Sequence, residues 1–314
     1  MRRSLFVCTA LALALGSGGC PDRPLKFPLP RASLDMAGAS FDLAGSHDLA
    51  AISPDCTVCA QGVCGKEVQA TMTTGSAPPG WSFNEAPMAA SGASYDSKVK
   101  VAVLNQDLAH SAGSIFYRIP IATDIVDIRF DARVIHKSGD HADGMAFVLI
   151  ENDPSVADID TAVGAWGGSL GMTGATALNS TTPLHGFGVE LDCYDNDNPQ
   201  SRCGESIRGE HINIDTLEPC AVDPSSLPTP VATPVAVTLS DGMWRTILIH
   251  IENGQMSVTL DVGGKATELF SNVALPGFIN GHAYYYGFTG ATGELSERHE
   301  IRNISFAFPT ARCL

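Results

Sequence analysis

From residue 66 onward the chain consists of short runs rich in β-branched and aromatic residues, cut at intervals by Gly, Pro, Asn and Asp, with hardly any apolar recurrence at helical spacing. A period of two can be buried only by pairing strands into sheets and covering a face, so this pattern limits the fold more than any other feature. Strands are predicted over residues 99–104, 114–121, 125–135, 144–150, 186–194, 211–215, 235–239, 244–251, 256–262, 282–288 and 301–308. Between two of them lies Glu252-Asn253-Gly254-Gln255, and Asn-Gly readily takes the positive φ of a tight hairpin turn. Thr246, Leu248 and His250 alternate only imperfectly with Ile247, Ile249 and Ile251, which predicts an inner strand covered on both faces. The architecture that follows is an all-β sandwich, and about 250 residues are ample for one. The Gly, Ser and Thr rich stretch 154–182 is a long loop of the kind that carries function.

The N-terminus belongs to export rather than to the fold. Met1-Arg2-Arg3, the apolar run Leu5 to Leu15 and the small residues 16–19 form a signal peptide that is too short to span a bilayer as a mature helix. Cys20 follows Gly18-Gly19 as in a bacterial lipoprotein cleavage site, with Ser17 where Leu is commoner, so residues 1–19 read as the leader and Cys20 as the lipidated N-terminus. Acyl chains there would hold the protein on a membrane surface in the bacterial cell envelope, with the outer membrane as the expected address. Residues 20–65 are rich in Pro, Ala, Ser and Asp and read as a low-complexity tether with a Cys-rich junction, leaving 66–314 as the domain.

The formal charge of -15 becomes about -17 once Arg2 and Arg3 leave with the leader, and such acidity repels phosphate backbones. Nucleic acid is therefore excluded as a partner, and the membrane enters only through the anchor. Beyond the leader and Cys20, the cysteines are Cys56, Cys59, Cys64, Cys193, Cys203, Cys220 and Cys313. An oxidising compartment makes disulfides the default, and Cys193 with Cys203 would close the loop after an acidic strand. Cys56-x-x-Cys59-x4-Cys64 lacks the matching half of a zinc site and reads as a disulfide knot, one that could extend to Cys313.

That acidic strand is Gly188-Val189-Glu190-Leu191-Asp192-Cys193-Tyr194, continuing into Asp195-Asn196-Asp197. Alternation places Glu190, Asp192 and Tyr194 on one side with Asn196 just beyond, where hard oxygen ligands can converge. Carboxylates, a backbone carbonyl and an Asn amide suit calcium, while His211 beside two carboxylates better suits a transition metal. The same residues also fit a solvated acidic face followed by an ordinary turn, and this segment alone does not choose between the readings.

Several separated segments agree on a family. Ala142-Asp143-Gly144-Met145-Ala146-Phe147, Gly167-Gly168-Ser169-Leu170-Gly171, the strand through Glu190 and Asp192 to Asn196, His211-Ile212-Asn213-Ile214-Asp215 and Tyr286-Gly287-Phe288-Thr289-Gly290-Ala291-Thr292-Gly293 occur in the order seen in legume lectins. His299-Glu300-Ile301-Arg302-Asn303-Ile304-Ser305-Phe306 resembles that family's closing strand. The resemblance implies the concanavalin A-like jelly roll and a non-catalytic, glycan-binding, metal-dependent protein. It implies that Asp143, preceded by a cis peptide, accepts hydrogen bonds from two sugar hydroxyls and that the Gly168 N–H donates to one. Tyr194 and Asn196 would serve both sugar and calcium, Tyr194 giving the ion its carbonyl and the sugar a stacking face. Thr292 and Glu294 would lie in the loop that tunes sugar choice. Glu190, Asp192 and His211 match the transition-metal (Mn2+) ligands of the plant proteins, with Asp192 bridging to Ca2+. The family's next shared Asp is displaced here, since Asp197 follows Asn196 at once and Asn198-Pro199 comes next, a run closer to the calcium-dependent animal cargo lectins.

Two other classes remain. Glu190-Leu191-Asp192-Cys193-Tyr194-Asp195 resembles the Glu-x-Asp-x-x-Glu of family 16 glucanases, but its last acid is Asp, about one methylene short for a retaining carboxylate pair. The other is a surface domain that kept the sandwich for adhesion without binding sugar. Trp81 and Trp244 read as packing residues, whereas Trp166 sits in the long loop and stays available as a platform.

Overall fold

In the computed structural model, which describes residues 68–70, 80–86, 88–122, 124–137, 139–152, 158–173, 185–194, 209–219 and 228–308, every regular element is a β-strand. In chain order these are β1 (Val68–Ala70), β2 (Trp81–Glu85), β3 (Ser94–Asp96), β4 (Val101–Asn105), β5 (Ala112–Tyr117), β6 (Ile121–Ala122), β7 (Ile125–Ile135), β8 (Gly144–Glu151) and β9 (Gly186–Asp192). They continue as β10 (His211–Pro219), β11 (Pro228–Pro230), β12 (Val235–Ala236), β13 (Arg245–Glu252), β14 (Gln255–Val262), β15 (Lys265–Ala274), β16 (Ala283–Ala291) and β17 (Arg298–Ala307). The expectations for the leader, Cys20, the tether, Cys56, Cys59, Cys64, Asn196, Asp197, Cys203, Cys220 and Cys313 fall outside the described residues.

The strands form two antiparallel sheets. One has the order β15-β14-β13-β7-β17-β4-β3, with β1 also paired to β17 through Val68↔Phe306 and Ala70↔Ile304. The other has the order β11-β10-β9-β8-β16-β5-β2, with β12 on β10 and β6 on β16. Their inner faces meet in one apolar layer, where Val126, Ile128 and Phe130 of β7 and Ile247, Ile249 and Ile251 of β13 face Phe147, Leu149, Val189, Leu191, Tyr286 and Phe288. Phe130 meets Phe288 edge-on at 4.8 Å across the sheets, and each such buried ring contributes about 1.5–3 kcal/mol relative to exposure.

The β13–β14 hairpin forms as predicted, with Glu252 opposite Gln255 and positive φ at Asn253 and Gly254. The expectation for β13 itself needs correction. Its inward residues are buried but Thr246, Leu248 and His250 are only half-buried, so β13 has one covered face and one facing solvent. The strands buried on both faces are β4, β5, β8 and β9. Phe116, Ala146, Val148 and Ile150 turn away from the main core and are capped by Ile159, Ala162, Leu170 and Met172 of the long loop. Edge strand β15 escaped prediction because Phe270 is its one buried side chain.

Candidate functional site

The acidic residues of β9 and the histidine opening β10 are brought together by pairing register. His211 lies directly opposite Asp192, and Asn213 opposite Glu190. Because Val189 and Leu191 take the core face, Glu190 and Asp192 take the other, the same face as His211. Donor atoms of the three lie within 4.8 Å of one another, and all three residues are buried. His211 Nδ1 is 2.9 Å from the Gly209 carbonyl, to which it can only donate, and this turns Nε2 toward Glu190 Oε1 at 3.2 Å. Burial pulls the imidazole pKa down, but the bond to Glu190 and the charges of Glu190 and Asp192 outweigh it and push the value up to about 10. A buried carboxylate pair thus holds a positive charge on Nε2. Two carboxylates and an imidazole nitrogen form a donor set that fits a divalent cation, which would meet the same need in place of that proton. Tyr194, just past the end of β9, donates its backbone N–H to Asp192 Oδ1 at 2.6 Å and is 37% exposed.

Asp143 stands one strand away. The Ala142–Asp143 peptide is cis, as the resemblance implied, and the Asp143 carbonyl accepts the Cys193 N–H at 2.7 Å. The next residue must be glycine, since Gly144 has φ +153° and a Cβ there would lie 2.3 Å from the Leu191 carbonyl oxygen. The Asp143 carboxylate is 6% exposed, and its Oδ2 has no hydrogen-bond partner within the protein. Burial pushes its pKa up to about 6; the Gly293 N–H and His299 lower it, while Glu297 adds to the rise. Gly293 closes over this carboxylate so tightly that a Cβ on it would sit 3.0 Å from Oδ2 and 3.5 Å from the Gly167 Cα. The Gly167 N–H in turn donates to the Thr292 carbonyl at 3.3 Å. The result is a recessed carboxylate framed by backbone, with Oδ2 left to accept from ligand donors.

Gly168 lies half-buried in this frame, beside Gly167, and Glu294 is exposed just beyond Gly293. Thr292 departs from its expectation. Its side chain is fully buried, with Oγ1 donating to the Leu108 carbonyl at 2.6 Å and accepting the Ser111 N–H at 3.0 Å, so it braces the loop and presents nothing outward. Cys193 is a free, buried thiol whose pKa is raised by burial, and the pairing expected with Cys203 lies outside the described residues. Trp81 is core, and Trp244 is held between Arg133 at 4.4 Å and Arg302 at 4.0 Å, leaving Trp166 exposed.

Sequence reasoning passed over Gly293 itself and two supports, one buried and one half-buried. Asn105 donates to the Glu297 carbonyl at 2.9 Å, so its amide oxygen faces His299 Nδ1 at 2.5 Å, while His299 Nε2 and Glu297 Oε1 are 2.6 Å apart. Elsewhere Glu210 accepts the backbone N–H groups of Leu239 and Ser240 and lies 3.1 Å from His141 Nε2, joining the approaches to His211 and Asp143. The signal for either was weak, since charged residues at strand ends usually face solvent.

A family model described as the legume lectin domain matches residues 82–311. Among solved structures, basic winged bean lectin with Tn-antigen is 19% identical with a TM-score of 0.56, covering 77% of this chain and 98% of its own. Peanut lectin is 20% identical, with a TM-score of 0.56 and coverage of 77% and 97%. The Ca2+/Man3GlcNAc-bound lumenal domain of VIP36 is 20% identical, with a TM-score of 0.50 and coverage of 74% and 87%. No curated protein matches the chain.

Proposed function

The chain belongs to the legume lectin domain family, and from that membership we propose that it is a non-catalytic, metal-dependent lectin, exported and anchored in the bacterial cell envelope by a lipid on Cys20. The observation that carries the sugar-binding reading is the Asp143 carboxylate, recessed between Gly167 and Gly293 with Oδ2 lacking any donor from the protein. A buried acceptor of that kind costs stability unless a ligand satisfies it, and vicinal sugar hydroxyls are paired donors of the right kind. In this reading Asp143 accepts two hydroxyls, the Gly168 N–H donates to a sugar oxygen, and the partly exposed Tyr194 ring covers the apolar C–H face. Glycans are the assigned ligand class, as in the winged bean lectin solved with Tn-antigen and VIP36 solved with Man3GlcNAc.

A divalent cation at Glu190, Asp192 and His211 would fix the end of β9, from which Tyr194 and the following residues reach the sugar. Calcium would draw on Asp192, the Tyr194 carbonyl, Asn196 and Asp197, and manganese or a similar ion on the face that includes His211. The glucanase reading is disfavoured because Glu190 is 1% exposed and turned onto His211, leaving a glycosidic bond no approach. The export and anchor parts rest on the leader pattern ending at Cys20.

A glycan array with the full-length protein tests the central reading. Binding to a restricted set of glycans is expected, abolished by Asp143→Ala and by chelation and restored by calcium; a wild-type protein that binds none of them would sink the proposal. Membrane fractionation tests the anchor, since Cys20→Ser should move the protein to the soluble fraction.

A further inference from the structure

We propose that Trp166 and His110 form a second saccharide subsite beside Asp143, so that the ligand is an oligosaccharide whose penultimate residue stacks on the Trp166 indole. This inference rests on the reading of Asp143 as the sugar-binding carboxylate. Trp166 is 45% exposed in a stretch bounded by buried Gly164 and Ser169. Its neighbour Gly167 lies against Gly293 over the Asp143 carboxylate, and consecutive Cα atoms are only about 3.8 Å apart, so the indole stands within reach of the next residue of a bound glycan.

The indole is held rather than loose. His110 meets it edge-on, with ring centroids 4.6 Å apart and an interplanar angle of 88°. His110 itself has φ +55°, a conformation that a non-glycine residue keeps only when its surroundings enforce it. Here they do, because the His110 N–H donates to the Gly293 carbonyl at 2.7 Å and its carbonyl accepts the Ala90 N–H at 2.8 Å. Gly293 is therefore tied on one side to the Asp143 carboxylate and on the other to the residue that props Trp166. The loop carrying Trp166 is closed by its own bonds, Gly164 N–H to the Gly171 carbonyl at 2.6 Å and Ala165 N–H to the Thr173 carbonyl at 2.8 Å. Buried Leu170 and Met172 anchor it to β8.

A propped aromatic face next to a hydrogen-bonding notch recognises a pyranose ring at little ordering cost. Its apolar C–H face lies on the indole while its neighbour's hydroxyls enter the notch. Exposed Glu294, just past Gly293, adds an acceptor at the rim. Protein partners would also favour an exposed Trp, but an isolated one at the lip of a sugar notch offers too little apolar area for a stable protein contact.

The test uses the full-length protein, the methyl glycosides of galactose, mannose, glucose and N-acetylglucosamine, and the array oligosaccharides that end in whichever of these binds. For Trp166→Ala, titration calorimetry should show oligosaccharide affinity falling on the order of tenfold or more, while affinity for the methyl glycoside changes less than about twofold. Trp166→Phe, which keeps a ring, should recover most of the loss. Equal weakening of both ligands, or no weakening of either, overturns the subsite while leaving the Asp143 notch in place. Asp143→Ala distinguishes the two ideas: if it leaves glycan binding intact, the underlying lectin reading fails and the subsite fails with it.

Discussion

Replacing Asp143 with alanine should separate what the carboxylate does for the ligand from what it does to the fold. Burial raises its pKa from the ordinary carboxyl value of 3.8 to about 6. A carboxyl whose folded pKa lies above its unfolded one favours the folded state in its protonated form. Its penalty is absent below pH 4, grows as pH rises between the two values, and is complete above the folded one. Two pKa units at 1.36 kcal/mol each correspond to about 2–3 kcal/mol, undiminished by solvent because the group is 6% exposed. Cavity changes on mutation do not vary with pH, and the Gly293 hydrogen bond is already contained in the shifted pKa, so the wild-type-minus-variant difference followed across pH reports the titration of this carboxyl. Urea unfolding in chelator, read by tryptophan fluorescence, should show the variant gaining about 2–3 kcal/mol relative to wild type between pH 4 and pH 7.5. The same substitution removes two charge-assisted hydrogen bonds at about 1.5–3 kcal/mol each, so glycan affinity should fall at least about a hundredfold. A stability difference that stays flat or runs the other way with pH, or retained affinity, would refute the assignment of a desolvated carboxylate reserved for ligand.

Gly293→Ala places a methyl 3.0 Å from Asp143 Oδ2, and calorimetry should show glycan affinity down about tenfold or more with the melting temperature within a few degrees of wild type. In chelator, His211→Ala leaves Glu190 buried without the histidine it pairs with, costing about 3 kcal/mol or more in urea unfolding; added Mn2+ or Ca2+ should recover part of it, and a variant indifferent to both counts against the metal centre. Cys193 should resist iodoacetamide at pH 8 in the native protein and react after unfolding, because burial holds its thiol protonated; peptide mapping that finds Cys193 disulfide-bonded would contradict the free thiol.

What the sequence revealed and what it hid follow from the range of the signal. Period-two alternation is local, so β7 appears with its observed bounds and Glu190 and Asp192 fall on one side of a strand, while His211, on another strand, is tied to them by the family resemblance. The β13–β14 turn was legible for the same reason, in two adjacent residues. Alternation does not say what covers a face. For that reason β13 was given a cover it lacks, while β8 and β9 receive theirs from a loop whose inward residues Leu170 and Met172 look unremarkable in sequence. The resemblance offers Thr292 as a sugar contact, whereas its hydroxyl is consumed by Leu108 and Ser111, far away in the chain, a pairing that no local signal carries. The Asn105–His299–Glu297 support was invisible for the same reason, being assembled across 192 and 194 positions.

The pairing of β1 with β17 has a directional consequence. Asp143, Asp192 and Gly293 gather where β8 begins and β9 and β16 end, and this is also where β17 begins at Arg298. Val68 is instead opposite Phe306, roughly 25 Å farther along β17 at about 3.4 Å per residue. A chain arriving from upstream thus enters at the pole opposite the ligand notch.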